Sequence, residues 1–290
     1  MANPETVRRL KELAYQQRVR LITLCGAYNG PVHIGGDMSM TDVLVALYHY
    51  GMNVDPQDIA LPSRDRFVLS KGHAAVCMYI AMSLRGFFDF DKILESYCKV
   101  DTAFGMHPCK VHLPGVECSS GSLGQGISMA VGMALMARQR GESHRVFCMM
   151  GDGETCEGVI WEAAMYAGSR GLGNLVGIVD RNRQFMTHYS DERFIKLEPY
   201  AQKWRDFGWN ALEIDGHDMS AIVDAIDRLP PASSDRPTML VCDTVKGKGV
   251  SFMERNIDWH AGNMNAQQVE QALRELKEAH ERDLQRGAAS

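Results

Sequence analysis

The sequence lacks the features that mark several large classes of protein. It contains no run of 18 apolar residues, so we expect no membrane-spanning segment. Its polar N-terminus has no apolar core of the kind found in signal peptides. The eight cysteines are scattered without a Cys-x-x-Cys pair, which argues against structural zinc and against a disulfide framework. We therefore expect a cytoplasmic protein.

An excess of basic residues and the common nucleotide-binding motifs are also missing. The 31 Lys and Arg are outnumbered by 36 Asp and Glu, which leaves a net charge of -5 and a poor surface for the phosphates of nucleic acid. Neither GxxxxGK[ST] nor a GxGxxG after an N-terminal strand occurs, which argues against a P-loop protein and a nicotinamide dehydrogenase. We predict neither nucleic acid nor a membrane as a partner.

The chain does contain a regular alternation of helical patterns and apolar runs from Gly121 onward. Hydrophobic residues make up 45% of the chain, enough for a sizeable core. Helices are predicted over Gln125–Arg140, Val159–Ser169, Tyr200–Phe207 and Ser220–Leu229. The strands between them are Arg145–Met150, Leu175–Val179, Ala211–Ile214 and Met239–Thr244. This alternation predicts an α/β fold with one doubly wound, mostly parallel sheet and helices on both of its faces.

The pattern before Gly121 is less regular. We predict helices over residues 5–28, 40–51 and 74–84, a strand over residues 66–70, and a loop over residues 99–120. A charged amphipathic helix is predicted from Asn265. The one candidate linker, Pro230–Pro237, is shorter than an interdomain tether usually is. We therefore predict a single domain over residues 1–290.

Polar side chains lie just beyond two of the predicted strands. Asp152 lies between two glycines directly after one strand, and Asn182 lies just past the end of the next. In doubly wound sheets ligands bind beyond the carboxyl ends of the strands. Carboxylate and amide oxygens suit Mg²⁺, which often completes its coordination with phosphate oxygens. Gly153 leaves room for a phosphate at its backbone N–H. An isolated Gly-Asp-Gly is equally compatible with a simple turn.

The spacing of Gly-Asp-Gly, 28 residues and Asn resembles the thiamine-diphosphate fingerprint, and further motifs narrow the resemblance to the transketolases. In chain order these motifs are PVHIGGDMS with His33, SKGHAAVCMY with His73, MHP with His107, GSLGQG at residues 121–126, GDGETCEGVIWEA at residues 151–163, and KGKGVSFMERNIDWHAG at residues 246–262. From about residue 10 to residue 263, the chain is similar to the diphosphate-binding half of that family.

The resemblance implies a set of cofactor-binding residues. Asp152, Asn182 and the backbone carbonyl of Gln184 would bind Mg²⁺, for which Ca²⁺ can substitute. Gly153 would donate its N–H to the diphosphate of the cofactor, thiamine diphosphate. The other residues implied to line the cofactor are Gly121, Ser122, Leu123, His73, Lys246 and His260.

Catalytic roles are also implied by the resemblance. His33, His107 and His260 would contact sugar hydroxyls or transfer protons, because the pKa of histidine lies near neutrality. The family residue that matches Glu157 forms carboxylate contacts across a dimer interface, although a helix-capping or helix-dipole role is the local alternative. We expect Cys156 to be packed. The remaining histidines are expected to be ordinary surface or core residues: His49, His112, His144, His188, His217 and His280.

Thiamine chemistry needs a second protein surface, which we expect to lie outside residues 1–290. In transketolases an acid that touches the aminopyrimidine lies in a pyrimidine-binding domain, which a C-terminal domain follows. The present chain stops near the end of the diphosphate half with a complete charged helix. A natural split enzyme and a truncated product are the two explanations, and the complete helix favours the split. We therefore expect these domains on an obligate partner subunit in an α2β2 heterotetramer. Alone, the chain should bind Mg²⁺-diphosphate weakly and turn nothing over.

The reaction implied by the resemblance is transfer of a two-carbon ketol unit from a ketose phosphate to an aldose phosphate. Two departures from the family pattern leave the substrate open: Ile34 replaces the usual proline, and Gly36 stands where a hydroxyl residue is common near the cofactor phosphate. One alternative is a subunit similar to 1-deoxyxylulose-phosphate synthase or to an oxo-acid dehydrogenase. Another is a non-catalytic regulator that binds the cofactor. KGH, GSLGQG and DWHAG together favour a transketolase.

Overall fold

A five-stranded parallel sheet forms the centre of the protein. The computed structural model describes residues 2–186 and 195–288, with the side chains of residues 286–288 left out. The strands are β1 (Arg66–Leu69), β2 (Val146–Gly151), β3 (Leu175–Arg181), β4 (Asn210–Asp215) and β5 (Thr238–Asp243). Their order across the sheet is β1-β2-β3-β5-β4, and every neighbouring pair is parallel.

Ten α-helices within the described residues surround this sheet. They are α1 (Pro4–Ala27), α2 (Ile34–Ser39), α3 (Thr41–Ala46), α4 (Ala75–Arg85), α5 (Phe90–Ser96), α6 (Gln125–Gln139), α7 (Gly158–Ser169), α8 (Tyr200–Asp206), α9 (Met219–Asp227) and α10 (Ala266–Ala288). None of the helices in residues 2–186 and 195–288 combines the length and apolar character that a membrane crossing requires.

The sheet separates two apolar cores, because successive side chains of a strand point to opposite faces. Phe147 and Met149 of β2 pack on the side of α1, α3, α4 and α9. Val146 and Cys148 of the same strand pack on the side of α6, α7 and α8. Parallel strands covered on both faces are expected to be apolar throughout, and every residue of β3 is buried. The predicted doubly wound α/β fold is confirmed.

The predicted elements of the second half agree with the structure to within one or two residues. The first half departs more, because residues 40–51 form α3 and a π-helical turn (Leu47–Gly51) instead of one helix. Two short helices, α2 and α5, were missed. Helix α2 contains Gly35 and Gly36, which lower helix propensity. A Cβ on Gly35 would lie 2.4 Å from the carbonyl oxygen of Trp259, so close backbone packing requires a glycine there.

Candidate functional site

A cavity of about 390 Å³ opens at the carboxyl ends of the strands. The chain segments after β1, β2, β3 and β5 contribute to its walls, because parallel strands present their carboxyl ends at one edge of the sheet. The following predicted site residues line it: His33, His73, Gly121, Leu123, Asp152, Gly153, Asn182, Gln184, Lys246 and His260. The fold thus brings together most of the predicted set.

Asp152 lies at the end of β2 with its carboxylate buried. Its Oδ1 accepts the N–H of Gly153 at 2.8 Å. Its Oδ2 accepts the N–H of Arg183 at 2.6 Å and a guanidinium N–H of Arg181 at 3.1 Å. Burial raises the pKa of this carboxyl to about 6, against the opposing effect of Arg181. The carboxylate is therefore directed toward the backbone that carries Asn182 and Gln184.

Asn182 presents its amide oxygen on the same wall of the cavity. Its Nδ2 donates to Oδ2 of Asp180 at 3.0 Å, and its Oδ1 accepts the N–H of Gln184 at 3.2 Å. Because an ionised carboxylate only accepts hydrogen bonds, the amide nitrogen must face Asp180 and the amide oxygen must point away from it. Asp180 therefore sets the orientation of the amide.

The oxygens at this edge of the sheet form a donor set that suits a hard cation. Within the described residues, no group of three or more His, Cys, Asp or Glu side chains could hold a metal ion. A cation here would therefore rely on one carboxylate, from Asp152, together with the amide oxygen of Asn182 and the carbonyl of Gln184. Oxygens of this mixture, completed by phosphate and water, are the environment in which proteins bind Mg²⁺. The residues present fit the ion.

Lys71 and Asp180 form a buried ion pair that was not predicted from the sequence. Nζ of Lys71 lies 2.5 Å from Oδ2 of Asp180 and also donates to the carbonyl of Gly36 at 3.2 Å. Burial alone would lower the pKa of Lys71, but the charge of Asp180 raises it above its usual value. The lysine stands in the SKGH motif two residues before His73, so a signal for it was present in the sequence. The ammonium group of Lys71 therefore places a positive charge in the wall of the cavity.

Four histidines from distant parts of the chain converge beside these charges. The ring centre of His33 lies 5.3 Å from that of His73, 5.5 Å from that of His260 and 6.5 Å from that of His107. Burial lowers the pKa of His33, His73 and His260, in the last case to about 3. These three rings are therefore neutral at pH 7, and each can both donate and accept a hydrogen bond. His107 is exposed beside the group.

Lys246 joins the histidines to the predicted metal-binding wall. Its buried Nζ lies 2.7 Å from Nδ1 of His260 and donates to the carbonyl of Gln184 at 3.3 Å. Burial, together with the nearby charge of Lys71, lowers the pKa of Lys246 to about 8. The group is therefore mostly charged at pH 7. Two ammonium groups in one buried cavity favour an anionic ligand.

The remaining predicted residues lie on or beyond the rim of the cavity. Ser122 and Glu157 are exposed and, like His107, do not line it. Glu157 is the residue before α7, and its side chain makes no capping hydrogen bond, so the local alternative of a helix cap receives no support. The expectation that Cys156 is packed is wrong, because this residue is exposed and borders the cavity. His188 lies outside the described residues.

The neighbouring aromatic ring favours glycine at the third position of the Gly-Asp-Gly turn. A Cβ on Gly153 would lie 2.7 Å from Cδ1 of Phe185, closer than Cβ atoms approach other atoms. Phe185, Met186 and Leu123 supply an apolar part of the cavity wall. Phe185 and Met186 belong to none of the sequence motifs and were not predicted as site residues. Their role results from the path of the chain after β3.

A match to a family model shows the family to which the chain belongs. Residues 17–282 match the family model described as transketolase, thiamine diphosphate binding domain. The chain belongs to the transketolase family. It corresponds to the N-terminal, thiamine-diphosphate-binding part of transketolases, so the resemblance inferred from the motifs is confirmed.

Relatives in this family include separate transketolase subunits of similar length. The chain is 39% identical over 248 residues to the 6-deoxy-6-sulfo-D-fructose transketolase subunit of a Clostridium species, covering 86% of this chain and 89% of the relative. It is also 39% identical over 250 residues to a subunit of the apulose-4-phosphate transketolase of Phocaeicola vulgatus, covering 86% of this chain and 88% of that protein. The transketolase family thus contains subunits that match this chain almost end to end.

Full-length transketolases share the fold over part of their length. A solved structure of a transketolase variant from Pichia stipitis superimposes with a TM-score of 0.82 at 26% sequence identity. The superposition covers 93% of this chain but only 40% of the Pichia protein. The chain therefore spans less than half the length of that transketolase.

Proposed function

We propose that the chain is the diphosphate-binding subunit of a two-chain transketolase that uses thiamine diphosphate and Mg²⁺. One observation carries the proposal: a carboxylate, an amide oxygen, two buried ammonium groups and three neutral histidines share one cavity at the carboxyl edge of the sheet. The reaction would transfer a two-carbon ketol unit between sugar phosphates. The activity would reside in a larger assembly than the present chain.

The residues that would hold the cofactor can be assigned from the charges of the cavity. Asp152, Asn182 and the Gln184 carbonyl would bind the cation, while the Gly153 N–H and Lys246 would contact the diphosphate. Lys71 would add a further contact, since it lines the same cavity. Gly36, where a hydroxyl would otherwise be expected, lies beside this ammonium group: a Cβ there would be 3.4 Å from Nζ of Lys71.

Bound thiamine diphosphate supplies a carbon that becomes nucleophilic, which is the chemistry needed to cleave the bond beside a ketone. The protein residues would orient the substrate and move protons around this centre. His33, His73 and His260 are neutral at pH 7, so each can give a hydrogen bond to a sugar hydroxyl or accept one from it. Leu123 and Phe185 would exclude water from the reacting end of the cavity.

A partner subunit that carries a pyrimidine-binding domain is the second part of the proposal. From Gln125 to Ala137, helix α6 contains no charged residue, although several of its side chains reach the surface. Met136 of α6 and Met165 of the adjacent α7 are 46% and 54% exposed. Apolar side chains exposed on two adjacent helices support a protein interface on this face, which also carries the exposed Glu162 of α7.

The place of this face in the chain supports the choice of its occupant. Helix α6 begins shortly after the cavity loop Gly121–Leu123, and α7 begins directly after the exposed Glu157. The two helices that form the face therefore start beside the cavity, where the second cofactor-binding surface is needed. We propose that the partner subunit binds there in an α2β2 assembly, and that the scattered cysteines reflect a reducing cytoplasm.

The proposed substrates are an anionic ketose and an aldose acceptor. Both named relatives act on sugars that carry an acidic group, a sulfonate in one case and a phosphate in the other. This cavity would hold the cofactor end, so the acidic tail of the sugar would be recognised mainly by the partner. A panel of ketose phosphates and one sulfonated ketose would identify the donor.

The decisive experiment compares the chain alone with the chain co-purified with its partner subunit. With Mg²⁺ and thiamine diphosphate, we expect ketol transfer from the complex and none from the single chain. Transfer by the single chain would contradict the two-chain arrangement. A complex that bound the cofactor but transferred no ketol unit from any donor would instead favour the regulator hypothesis.

A further inference from the structure

Glu154 is a buried carboxylate beside the cofactor cavity to which neither the motifs nor the family comparison assigns a role. The residue is 3% exposed. Its Oε1 accepts the hydroxyl of Ser70 and the N–H of Gly124, the latter at 2.8 Å. Its Oε2 accepts the N–H of Gly151 at 3.0 Å. One carboxylate therefore takes three hydrogen bonds, two of them from segments 84 and 30 residues away in the sequence.

Each of the three donors belongs to a different segment that lines the cavity. Ser70 comes directly after β1 and directly precedes Lys71. Gly124 follows the loop Gly121–Leu123, and Gly151 opens the Gly-Asp-Gly turn that carries Asp152. The Glu154 carboxylate thus links the lysine and histidine segment, the cofactor-facing loop and the metal-binding turn.

These segments approach one another so closely that a shift in one would displace the others. A Cβ on Gly126 would lie 2.5 Å from the Cβ of Ser70, and a Cβ on Gly72 would lie 2.9 Å from the backbone nitrogen of Gly121. Glycines at these positions allow the backbones to touch. A buried backbone N–H needs a partner wherever such contact excludes water.

A charged acceptor suits this position better than a neutral one. Hydrogen bonds to a carboxylate are roughly twice as strong as neutral ones. A glutamine would keep the size of the side chain, but its amide nitrogen would face one of the three donors.

We propose that Glu154 is a positioning residue whose carboxylate holds the three segments at the spacing that the cofactor diphosphate and its cation require. The proposal rests on the proposed function, since it assigns the spacing to thiamine diphosphate. Glu154 would act through Ser70, Gly124 and Gly151 and would not touch the substrate.

The chain offers a matched control at the opposite edge of the sheet. Asp65 is also buried, and its carboxylate accepts the N–H of Arg145 at 2.7 Å and the N–H of Asn53 at 2.8 Å. It links the segments that precede β1 and β2, away from the cavity. Asp65→Asn therefore makes the same chemical change as Glu154→Gln without touching a cofactor-binding segment.

The test measures cofactor affinity, amide exchange and thermal stability on the full chain. Titration of Mg²⁺ and thiamine diphosphate into Glu154→Gln should give an affinity about 10- to 100-fold weaker than wild type, as loss of a supporting hydrogen-bond partner typically does. Hydrogen exchange without cofactor should be faster at Gly124 and Gly151. Asp65→Asn should lower the unfolding temperature but leave both of the other measurements unchanged.

Two results would overturn the proposal. One is an unchanged cofactor affinity in Glu154→Gln, and the other is an equal loss of affinity in Asp65→Asn, which would indicate general destabilisation. If Glu154→Gln does not fold, Ser70→Ala removes one donor only and should weaken the affinity in the same direction. Failure of the proposed function looks different, because the wild-type chain itself would then bind no thiamine diphosphate, and the proposal for Glu154 would fall with it.

Discussion

At the scale of single residues, the site depends on carboxylates and amides whose orientation is set by their neighbours. Asp152 is held by Arg181 and by two backbone N–H groups, whereas Asn182 is held through its amide nitrogen by Asp180. Asp152 therefore contributes to the stability of the sheet edge as well as to the proposed cation site. Asn182 is only partly buried and contributes mainly an oxygen.

This difference predicts that two substitutions at the cation site have separable effects. Asp152→Ala leaves the buried guanidinium of Arg181 without one of its partners and should cost about 3 to 5 kcal/mol of stability. Asn182→Ala should cost about 0.5 to 1.5 kcal/mol, the usual value of a hydrogen bond. Both should greatly raise the Mg²⁺ concentration needed for thiamine diphosphate binding. Chemical unfolding and cofactor titration at several Mg²⁺ concentrations measure the two effects.

The matched control for this pair is Asp243→Asn, at the exposed end of β5 next to Arg183. It removes a carboxylate from the same edge of the sheet outside the cavity. Its Mg²⁺ requirement should equal that of wild type. A normal Mg²⁺ requirement in Asn182→Ala would refute the cation site.

At the scale of secondary-structure elements, the function is carried by the chain segment after each strand and by the outer face of two helices. Strands β1, β2, β3 and β5 each end in a segment that supplies a cavity residue. Helices α6 and α7 pack against the sheet with their apolar sides and leave methionines on the outside. A helix that meets only solvent would carry charges on its outer face, and α6 carries none from Gln125 to Ala137.

We predict that charges on this face prevent assembly without unfolding the chain. Met136→Lys combined with Met165→Lys should abolish co-purification with the partner subunit, because burial of two ammonium groups in an apolar interface is strongly unfavourable. Each surface substitution should change stability by no more than about 0.5 kcal/mol. Size-exclusion chromatography of the mixed subunits measures assembly, and thermal unfolding of the chain alone measures stability.

Val100→Lys is the control for this prediction, because Val100 is 89% exposed and lies in a loop remote in sequence from α6 and α7. It should assemble like wild type. Normal assembly of the double methionine variant would place the partner on another surface.

At the scale of the whole molecule, folding brings neutral histidines together beside two lysines. Burial and these nearby cations lower the pKa of His33, His73 and His260 below the value of 6.5 that a histidine has in an unfolded chain. The folded state therefore binds protons at these rings less readily than the unfolded state does. Their contribution to stability is fully present above pH 6.5 and is lost as the pH falls toward the folded-state values.

We therefore predict that part of the acid sensitivity of the chain comes from these three histidines. Between about pH 7 and pH 5, the unfolding temperature of a variant with His33→Gln, His73→Gln and His260→Gln should change less steeply in the acid direction than that of wild type. Comparison of the two proteins cancels the opposing contribution of Asp37, whose burial raises its pKa to about 7. Identical pH dependence in both proteins would contradict the prediction.

The fold class and most of the cavity residues could be predicted from the order of residues along the chain. Parallel strands with ligands at their carboxyl ends were predicted from apolar runs that end in Gly151-Asp152-Gly153 and in Asp180-Arg181-Asn182. Buried strands and their alternation with helices can be recognised within short stretches of sequence. His33, His73, Lys246 and His260 were found in a different way, from the resemblance of their motifs to those of the transketolases. These residues could be found before any contact was known.

The side chains that support those residues became apparent only in the folded protein. Glu154 is 84 residues from Ser70, 30 from Gly124 and 3 from Gly151 in the sequence. Asp180 and Lys71 are 109 residues apart. The hydrogen bonds between distant segments follow no helical or strand periodicity in the sequence. They depend on how the strands lie beside one another in the sheet. Phe185 and the exposed methionines of α6 and α7 likewise acquire their roles from packing, since the same residue types serve equally well in a core.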